Sequence, residues 1–498
     1  MQFQRFIGLI VSVSLLLAVM NVFTAVYGFA PPSGWSSYKE VTLTETIGLN
    51  RVSEPVEIFF EPEPNNCSST DEIRVIAPDE VTEIPSQVYD VTTSGGYITS
   101  CKVVFLADCP ALSTVTYYII YNNPTATTPT YDGLRLYEEI AGDTYDVNAT
   151  KEGVEKKYFR IFWQSLIWLY SNGENLTWAG GPLGMEFSQI YIATLWGGYN
   201  DTAWFGANKS LSILNGGPVF VDFNYSESSG SDFLGTVFDY NITTTSIIRV
   251  FYQPDLNPLI HYAKSFHIRT NLANYTLGSP YYLDFKLADR ASQAIYQNFT
   301  WKNTGGTVES ISTISFPEGD TIWDPVYPIG WWSFNGSIPT SDGQPAANIG
   351  LIPISSSGSV ADADYRLQFT HLLEDDDHHC FQNFAGDYNG VFGDSINTTG
   401  YIFTHVPVDA NAEPVMKDEM LKSRYPLNSH PADITGSEGV PDGKVDMRDI
   451  GLAARNFGQN VPPAPKSADI TGQTPLDPDG KVDMRDIGYA ARAFGWQR

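Results

Sequence analysis

Residues 442–451 read DGKVDMRDIG, and residues 479–488 repeat the same ten letters. Each copy spaces three aspartates so that their carboxylates can meet at one hard cation, which prefers oxygen ligands. A glycine follows the first aspartate, where the turn favours a residue without a Cβ atom. The six aspartates are Asp442, Asp446, Asp449, Asp479, Asp483 and Asp486. The repeat therefore predicts a pair of cation sites near the C terminus.

The spacing matches a calcium loop of the EF-hand type, which has ligands at positions 1, 3, 5, 7, 9 and 12 and glycine at position 6. Positions 5 to 12 fit directly, and Lys444 and Lys481 supply the backbone carbonyl at position 7. Positions 1 and 3 are Asp433 and Thr435 in the first copy and Asp469 and Thr471 in the second. Residues 437–441 and 473–478 are inserted between positions 4 and 5.

One short amphipathic helix is predicted after each loop, because apolar residues follow at i, i+3, i+4 and i+7. The two stripes are Ile450, Ala453, Ala454 and Phe457, and Ile487, Ala490, Ala491 and Phe494. Such stripes predict that the two helices pack face to face.

Two loop–helix units in tandem, across roughly residues 431–498, resemble the dockerin module, a secreted plug that binds cohesin receptors on scaffolds or cell surfaces. The resemblance implies Ca²⁺ in both loops and a cohesin-like partner. It also implies partner contacts at positions 10 and 11, which are Met447, Arg448, Met484 and Arg485. Their identity in both copies is typical of a partner engaged in either of two orientations, and recent duplication explains it equally well.

Two departures from the family bear on calcium. Position 3 is Thr where the family prefers Asn or Asp, and both loops are lengthened, so either calcium binding is weakened or the insert supplies a ligand such as Asp477. The alternative reading is a metal-free helical hairpin with solvated acidic loops.

Composition indicates an exported β-rich protein. Aromatic residues make up 13% and charged residues 17%, against about 25% charged in an average soluble protein, so Asn, Ser, Thr and Gly must supply the polar surface. The net charge of −28 disfavours nucleic acid and anionic lipid as partners.

The N terminus supports export to an extracellular or cell-surface location. Residues 1–30 place Arg5 before a long apolar run and are typical of a signal peptide, with an uncleaved anchor as the alternative. Eleven Asn-X-Ser/Thr sequons predict a glycoprotein with most of its glycans on exposed loops. Of the four cysteines, Cys67 would pair with Cys101 or Cys109, unless the thiols are free and buried.

The rest of the chain reads as strands between turn signals, so the predicted fold is mainly β. We expect a small β-sandwich at 31–124, a Pro/Thr-rich linker at 125–133, a large β body at 134–410 and a second linker at 411–430. Residues 431–498 would form a small all-α module. The strand rhythm of the body resembles the mutarotase-like supersandwich of glycosidases and polysaccharide lyases.

That resemblance implies a body that handles carbohydrate. Tryptophan rings stack on sugar rings, and five in turn-like sequence are candidates for glycan stacking: Trp196, Trp204, Trp323, Trp331 and Trp332. If the body is an enzyme, we expect a polysaccharide-degrading glycoside hydrolase, or less readily a lyase, but the sequence identifies no catalytic residues. The alternatives are a carbohydrate-binding module and a non-catalytic structural glycoprotein of the cell surface or surface layer.

Overall fold

The computed structural model describes residues 28–140, 144–162, 166–171, 174–175, 185–186, 193–196, 199–202, 207–228, 231–233, 236–238, 242–268, 282–287, 298–303, 308–312, 321–324, 329–335, 348–357, 366–372, 377–383, 395–403, 412–436, 441–461, 463–472, 476 and 478–497. This part of the chain is mainly β, as predicted, with antiparallel sheets and three short α-helices. The predicted leader, residues 1–30, lies almost wholly outside it. No helix among the described residues has the length and apolar content needed to cross a bilayer.

The N-terminal region contains two sheets that share one core. Its strands are β1 (Ser37–Thr44), β2 (Arg51–Phe60), β3 (Arg74–Ile76), β4 (Glu83–Ile84), β5 (Ser86–Ser94), β6 (Tyr97–Cys109) and β7 (Thr114–Tyr121), with a 3₁₀ turn at Thr70–Glu72. The sheet orders are β1-β7-β3-β4 and β2-β6-β5. Alternate residues of β6 face the shared core, among them Val103 and Phe105, which are fully buried.

The body contains two long antiparallel sheets. Its strands are β8 (Gly133–Ile140), β9 (Thr144–Lys151), β10 (Val154–Phe162), β11 (Leu166–Ser171), β12 (Glu174–Asn175), β13 (Met185–Glu186), β14 (Ala193–Trp196), β15 (Tyr199–Thr202), β16 (Ala207–Gly216), β17 (Phe220–Ser228), β18 (Ser231–Phe233), β19 (Thr236–Phe238), β20 (Ile242–Phe251), β21 (Leu259–Ile268), β22 (Tyr282–Leu287), β23 (Asn298–Asn303), β24 (Val308–Ser312), β25 (Thr321–Asp324), β26 (Ile329–Asn335), β27 (Asn348–Ser357), β28 (Arg366–Leu372), β29 (Asp377–Asn383) and β30 (Ser395–Phe403). One sheet runs β25-β28-β29-β22-β13-β11-β10-β9-β8, and the other runs β16-β17-β20-β21-β30-β27-β26-β23-β24.

The predicted linker at 411–430 is largely a helix, which corrects the sequence-based assignment. The chain forms α1 (Ala412–Arg424), which ends just before Pro426, since a residue preceding proline is disfavoured in a helix. Met416 and Met420 of α1 are buried against Trp331 and Phe403 of the body. The segment is therefore part of the packed structure.

Two further helices follow, α2 (Met447–Arg455) and α3 (Met484–Arg492), with a 3₁₀ turn at Lys466–Ala468 between them. The chain leading to them is fixed to the N-terminal region by Asn428. Its Oδ1 accepts a hydrogen bond from Thr44 N at 2.7 Å, and its Nδ2 donates to Thr42 O at 3.0 Å. The segment that leads to the C-terminal helices is therefore held against the end of β1.

Cys67, Cys101 and Cys109 are free, buried thiols. Burial raises the pKa of Cys67 to about 11 and that of Cys101 to about 12. The structure thus matches the alternative in which these thiols are free and buried. The side chain of Cys380 lies outside the described residues.

The sequons differ from the expectation of exposed loops. Eight of their asparagines lie in strands: Asn148, Asn175, Asn200, Asn208, Asn224, Asn298, Asn335 and Asn397. The side-chain oxygens of Asn148 and Asn224 are buried.

Candidate metal and docking site

The aspartate at position 12 organises each C-terminal loop through backbone hydrogen bonds. Asp449 is fully buried; its Oδ1 accepts from Ile434 N and Thr435 N, both at 2.9 Å, and its Oδ2 accepts from Asp446 N at 2.7 Å. The second loop has the same set, with Asp486 accepting from Ile470 N at 2.7 Å, Thr471 N at 2.9 Å and Asp483 N at 2.7 Å. One carboxylate thus joins the start of the loop to the start of the helix.

The same aspartates complete a capping box. Asp446 is the N-cap of α2 and its Oδ1 accepts from Arg448 N at 2.7 Å, while Asp449 bonds back to the N-cap backbone. Asp483 and Asp486 repeat this at α3. Because the first backbone N–H groups of a helix have no partner within it, this reciprocal pattern fixes where each helix begins.

An arginine holds the carboxylates at positions 5 and 9. Arg448 Nη2 lies 2.6 Å from oxygens of both Asp442 and Asp446. Arg485 Nη2 lies 2.5 Å from Asp479 and from Asp483. Hydrogen bonding to Arg448 holds the pKa of Asp446 below its ordinary value. The guanidinium therefore neutralises a pair of carboxylates that would otherwise repel each other.

The aspartates at position 1 are buried and, like those at position 12, form no ion pair among the described residues. Asp433 uses both oxygens, accepting from Asp442 N at 3.1 Å and Gly443 N at 2.8 Å. Asp469 accepts from Gly480 N at 2.8 Å through Oδ2, but its Oδ1 is buried and has no hydrogen-bond partner among the described residues. Burial, with a smaller effect of neighbouring acids, raises the pKa of Asp469 to about 7.

Calcium suits this donor set in part. Among the described residues, no group of three or more His, Cys, Asp or Glu side chains converges tightly enough to hold a metal ion. The partnerless Asp469 Oδ1 is nevertheless the kind of buried oxygen that a hard cation takes. Ligation by Asp479 and Asp483 would require Arg485 to release them.

Backbone hydrogen bonds join the two repeats. Val445 N donates to Trp496 O at 2.8 Å, and Gly495 N donates to Val445 O at 2.9 Å. Reciprocally, Gly458 N donates to Val482 O at 2.8 Å. Each loop is thus tied to the chain that leaves the helix of the other repeat.

The predicted helix stripes are only half right. Ala453 and Ala490 are fully buried where α2 and α3 meet, with Ile450 and Ile487 partly buried beside them. The last two members of each stripe, Ala454 with Phe457 and Ala491 with Phe494, are exposed instead. The core on this side is completed by Leu421 of α1 and by Ile47 and Leu49 of the N-terminal region, which periodicity within the helices does not show.

Both repeats present an apolar outer face. Met447 is 66% exposed and Met484 64%, while Phe457 is 54% exposed and Phe494 57%. Between them lie Gly451 and Gly488, where an added Cβ would meet open space. A groove of about 560 Å³ along α2 is lined by Met447, Arg448, Gly451 and Ala454. The four residues predicted to contact a partner therefore lie at the surface, in two equivalent settings.

Two of the five tryptophans predicted to stack on a glycan are buried. Trp331 and Trp332 are fully buried in β26, so they cannot stack on a glycan, which corrects the prediction. Trp196 and Trp323 lie in strands β14 and β25, but their side chains, and all of Trp204, fall outside the described residues.

Sequence reasoning missed the arginine clamps and the partners supplied by other regions. The resemblance predicts that Arg448 and Arg485 contact a partner, but an arginine two residues after an N-cap aspartate can also bond back to that aspartate. Asn428 could have been suspected from its place before the module, since asparagine tolerates its positive φ of 65°.

No known protein family matches this chain, and a comparison with curated proteins gives no match.

Proposed function

We propose that residues 431–498 form a dockerin-like module, ordered by Ca²⁺, that attaches this protein to a cohesin-like partner outside the cell. The observation that supports this best is the equivalence of the two outer faces, in which Met447 and Met484 have nearly the same exposure. Identical side chains in equivalent settings offer a partner two ways to bind. The ligands would be the aspartates and Thr435 and Thr471, with the carbonyls of Lys444 and Lys481.

Calcium would supply charge neutralisation within each loop. In its absence the guanidinium of each repeat carries part of that role, through the pairs at 2.5–2.6 Å described above. Release of Arg448 and Arg485 on calcium binding would free both side chains for a partner. Folding of the loops and docking would then both depend on the metal.

We further propose that residues 31–124 form a β-sandwich and that residues 134–410 form a supersandwich that binds or processes polysaccharide. The core shared by the two N-terminal sheets supports the first part. Two long antiparallel sheets within one continuous body support the second.

The docking proposal is tested by biolayer interferometry of the full chain, with and without its leader, on a panel of immobilised cohesin domains in calcium. Met447→Glu and Met484→Glu are each expected to retain binding, because the other face is intact. The double variant is expected to lose about 100-fold or more in affinity, as when an interface anchor is removed from both sides. Val81→Glu, at an apolar residue 79% exposed in the N-terminal region, is the matched control. Binding that persists in a calcium chelator, or in the double variant, would overturn the proposal.

A further inference from the structure

A cleft lies where the N-terminal region, the body and α1 meet. Its volume is about 690 Å³, within the roughly 300–1,000 Å³ of small-molecule sites. Glu54 and Glu57 line it from β2, His261 and Tyr401 from β21 and β30, and Ser423 and Lys422 from α1. Three parts of the chain that are distant in sequence thus build one concave surface.

The three walls of the cleft are held in place by direct contacts. Arg249 donates from Nη1 to Glu57 at 3.1 Å, joining body and N-terminal region. Gln87 Oε1 accepts from Phe220 N at 3.0 Å across the same boundary. Arg51 Nη2 donates to Tyr425 O at 2.7 Å, just beyond the end of α1. The cleft is therefore preformed, as ligand sites usually are.

Most of the charges around the cleft are held in ion pairs within the protein. Arg249 forms a two-bond pair with Asp222 at 2.7 and 2.8 Å. Glu54 receives Arg51 at 2.7 Å, and Lys422 lies 2.9 Å from Glu419. Lys151, which also lines the cleft, donates to the backbone oxygen of Pro254 at 2.6 Å. Because most of the lining charges are held in ion pairs within the protein, the lining favours a ligand without net charge.

Two half-buried rings in the cleft, His261 and Tyr401, have polar atoms without a hydrogen-bond partner among the described residues. The rings of His261 and Tyr401 are 4.9 Å apart and tilted by 51°. Within the described part of the chain, neither the imidazole nitrogens nor the Tyr401 hydroxyl forms a hydrogen bond. Burial lowers the pKa of His261 to about 4, so the ring is neutral near pH 7 and has one donor and one acceptor nitrogen. Both rings have hydrogen-bonding capacity to offer to a ligand.

We propose that this cleft binds a neutral oligosaccharide, with the His261–Tyr401 ring pair as its platform. Flat rings suit the C–H faces of sugars, and partnerless ring nitrogens and hydroxyl suit sugar hydroxyls. Because most of the lining charges are paired within the protein, the cleft offers few counter-ions to uronates and phosphates. The inference gives a location to the proposed carbohydrate role of the body and does not depend on docking by the C-terminal module.

The test is an array of neutral gluco-, manno-, galacto- and xylo-oligosaccharides, alongside uronic-acid oligosaccharides, probed with the full chain. Tyr401→Phe removes one hydroxyl and keeps the ring, and is expected to weaken binding about tenfold, the effect of one lost hydrogen bond. Ser423→Trp fills the cleft from α1 and is expected to abolish binding. Tyr97→Phe, at an exposed tyrosine on a distant hairpin, is the control and is expected to bind as the parent does.

Retention of a neutral oligosaccharide that is lost in Ser423→Trp and weakened in Tyr401→Phe supports the inference. It is overturned if no neutral oligosaccharide is retained, if only uronates are, or if both cleft variants bind unchanged. Thermal melting of each variant distinguishes a blocked cleft from a damaged fold, because a variant that melts as the parent does has kept its structure. Cohesin binding by the same samples separates this result from the docking proposal, since a chain that docks but retains no sugar overturns only the cleft assignment.

Discussion

The two C-terminal repeats share ten identical residues, yet their first aspartates differ. Asp433 has both oxygens bonded to backbone N–H groups, whereas Asp469 Oδ1 is buried without a partner. The identical segment builds the same capping box and arginine clamp in both copies. The sequences before the segment differ, with inserts of five and six residues. The shared segment thus fixes where each helix begins, whereas the first aspartate is bonded differently in the two repeats.

The largest effect is expected at the position-12 aspartate, which has the same hydrogen bonds in both repeats. Asp449→Ala or Asp486→Ala leaves three backbone N–H groups without their acceptor, so either change is expected to cost about 3–5 kcal/mol in its own repeat. Hydrogen exchange of the full chain, read by mass spectrometry over residues 441–497, measures the loss of protection. Asp449→Asn, which keeps one acceptor oxygen, should cost less. Unequal losses for the two alanine variants would show that the repeats are not equivalent here.

Without calcium, the stability of the second repeat should depend on pH through Asp469. The native pKa of Asp469, about 7, is above the ordinary value of 3.8, so the native state binds this proton more tightly than the unfolded chain. Its contribution is complete below pH 3.8 and is lost as pH rises through about 7. At roughly 1.36 kcal/mol per pKa unit, the loss is at most about 4 kcal/mol.

Exchange in a calcium chelator, corrected for the intrinsic pH dependence of the amide rate, should therefore show the second repeat weakening between pH 4 and pH 8. The first repeat should weaken less, because burial is the main cause that raises both pKa values and Asp433 is the more exposed of the two, 9% against 5%. Asp469→Asn is the matched control and should flatten the pH profile of the second repeat. A profile that stays steep in this variant contradicts the assignment to Asp469.

The second repeat, which should be the less stable one at neutral pH without calcium, should bind calcium more tightly than the first. An ion at the second loop would satisfy the partnerless Asp469 oxygen, so we expect about tenfold tighter binding there, worth roughly 1.4 kcal/mol. Calorimetric titration of the full chain should resolve two sites. Asp469→Ala should remove the tighter one and Asp433→Ala the weaker one. Equal affinities would mean that the buried oxygen has no effect on the metal.

The spacing of residues predicts those features that depend on neighbours close in the sequence. The sequence predicts one helix after each loop, and α2 and α3 are present there, their starts fixed by capping-box hydrogen bonds between residues two or three apart. Whether an apolar residue is inside depends on distant partners. Trp331 lies in turn-like sequence but is covered by Met416, and Phe457 continues an apolar stripe but has no cover. Periodicity identifies apolar faces without saying what meets them.

The smallest expected difference separates the two threonines at position 3. Thr471 Oγ1 accepts a hydrogen bond from Leu476 N of the insert at 3.0 Å, whereas the bond that Thr435 Oγ1 forms among the described residues is a donation to the adjacent Gly436 O at 3.4 Å. Thr471→Val should therefore cost about 1 kcal/mol by leaving a buried N–H unpaired, and Thr435→Val less than about 0.5 kcal/mol. Exchange at Leu476 in the full chain reads the change directly. Equal effects of the two substitutions would mean that the inserts, although different in length, hold their loops in the same way.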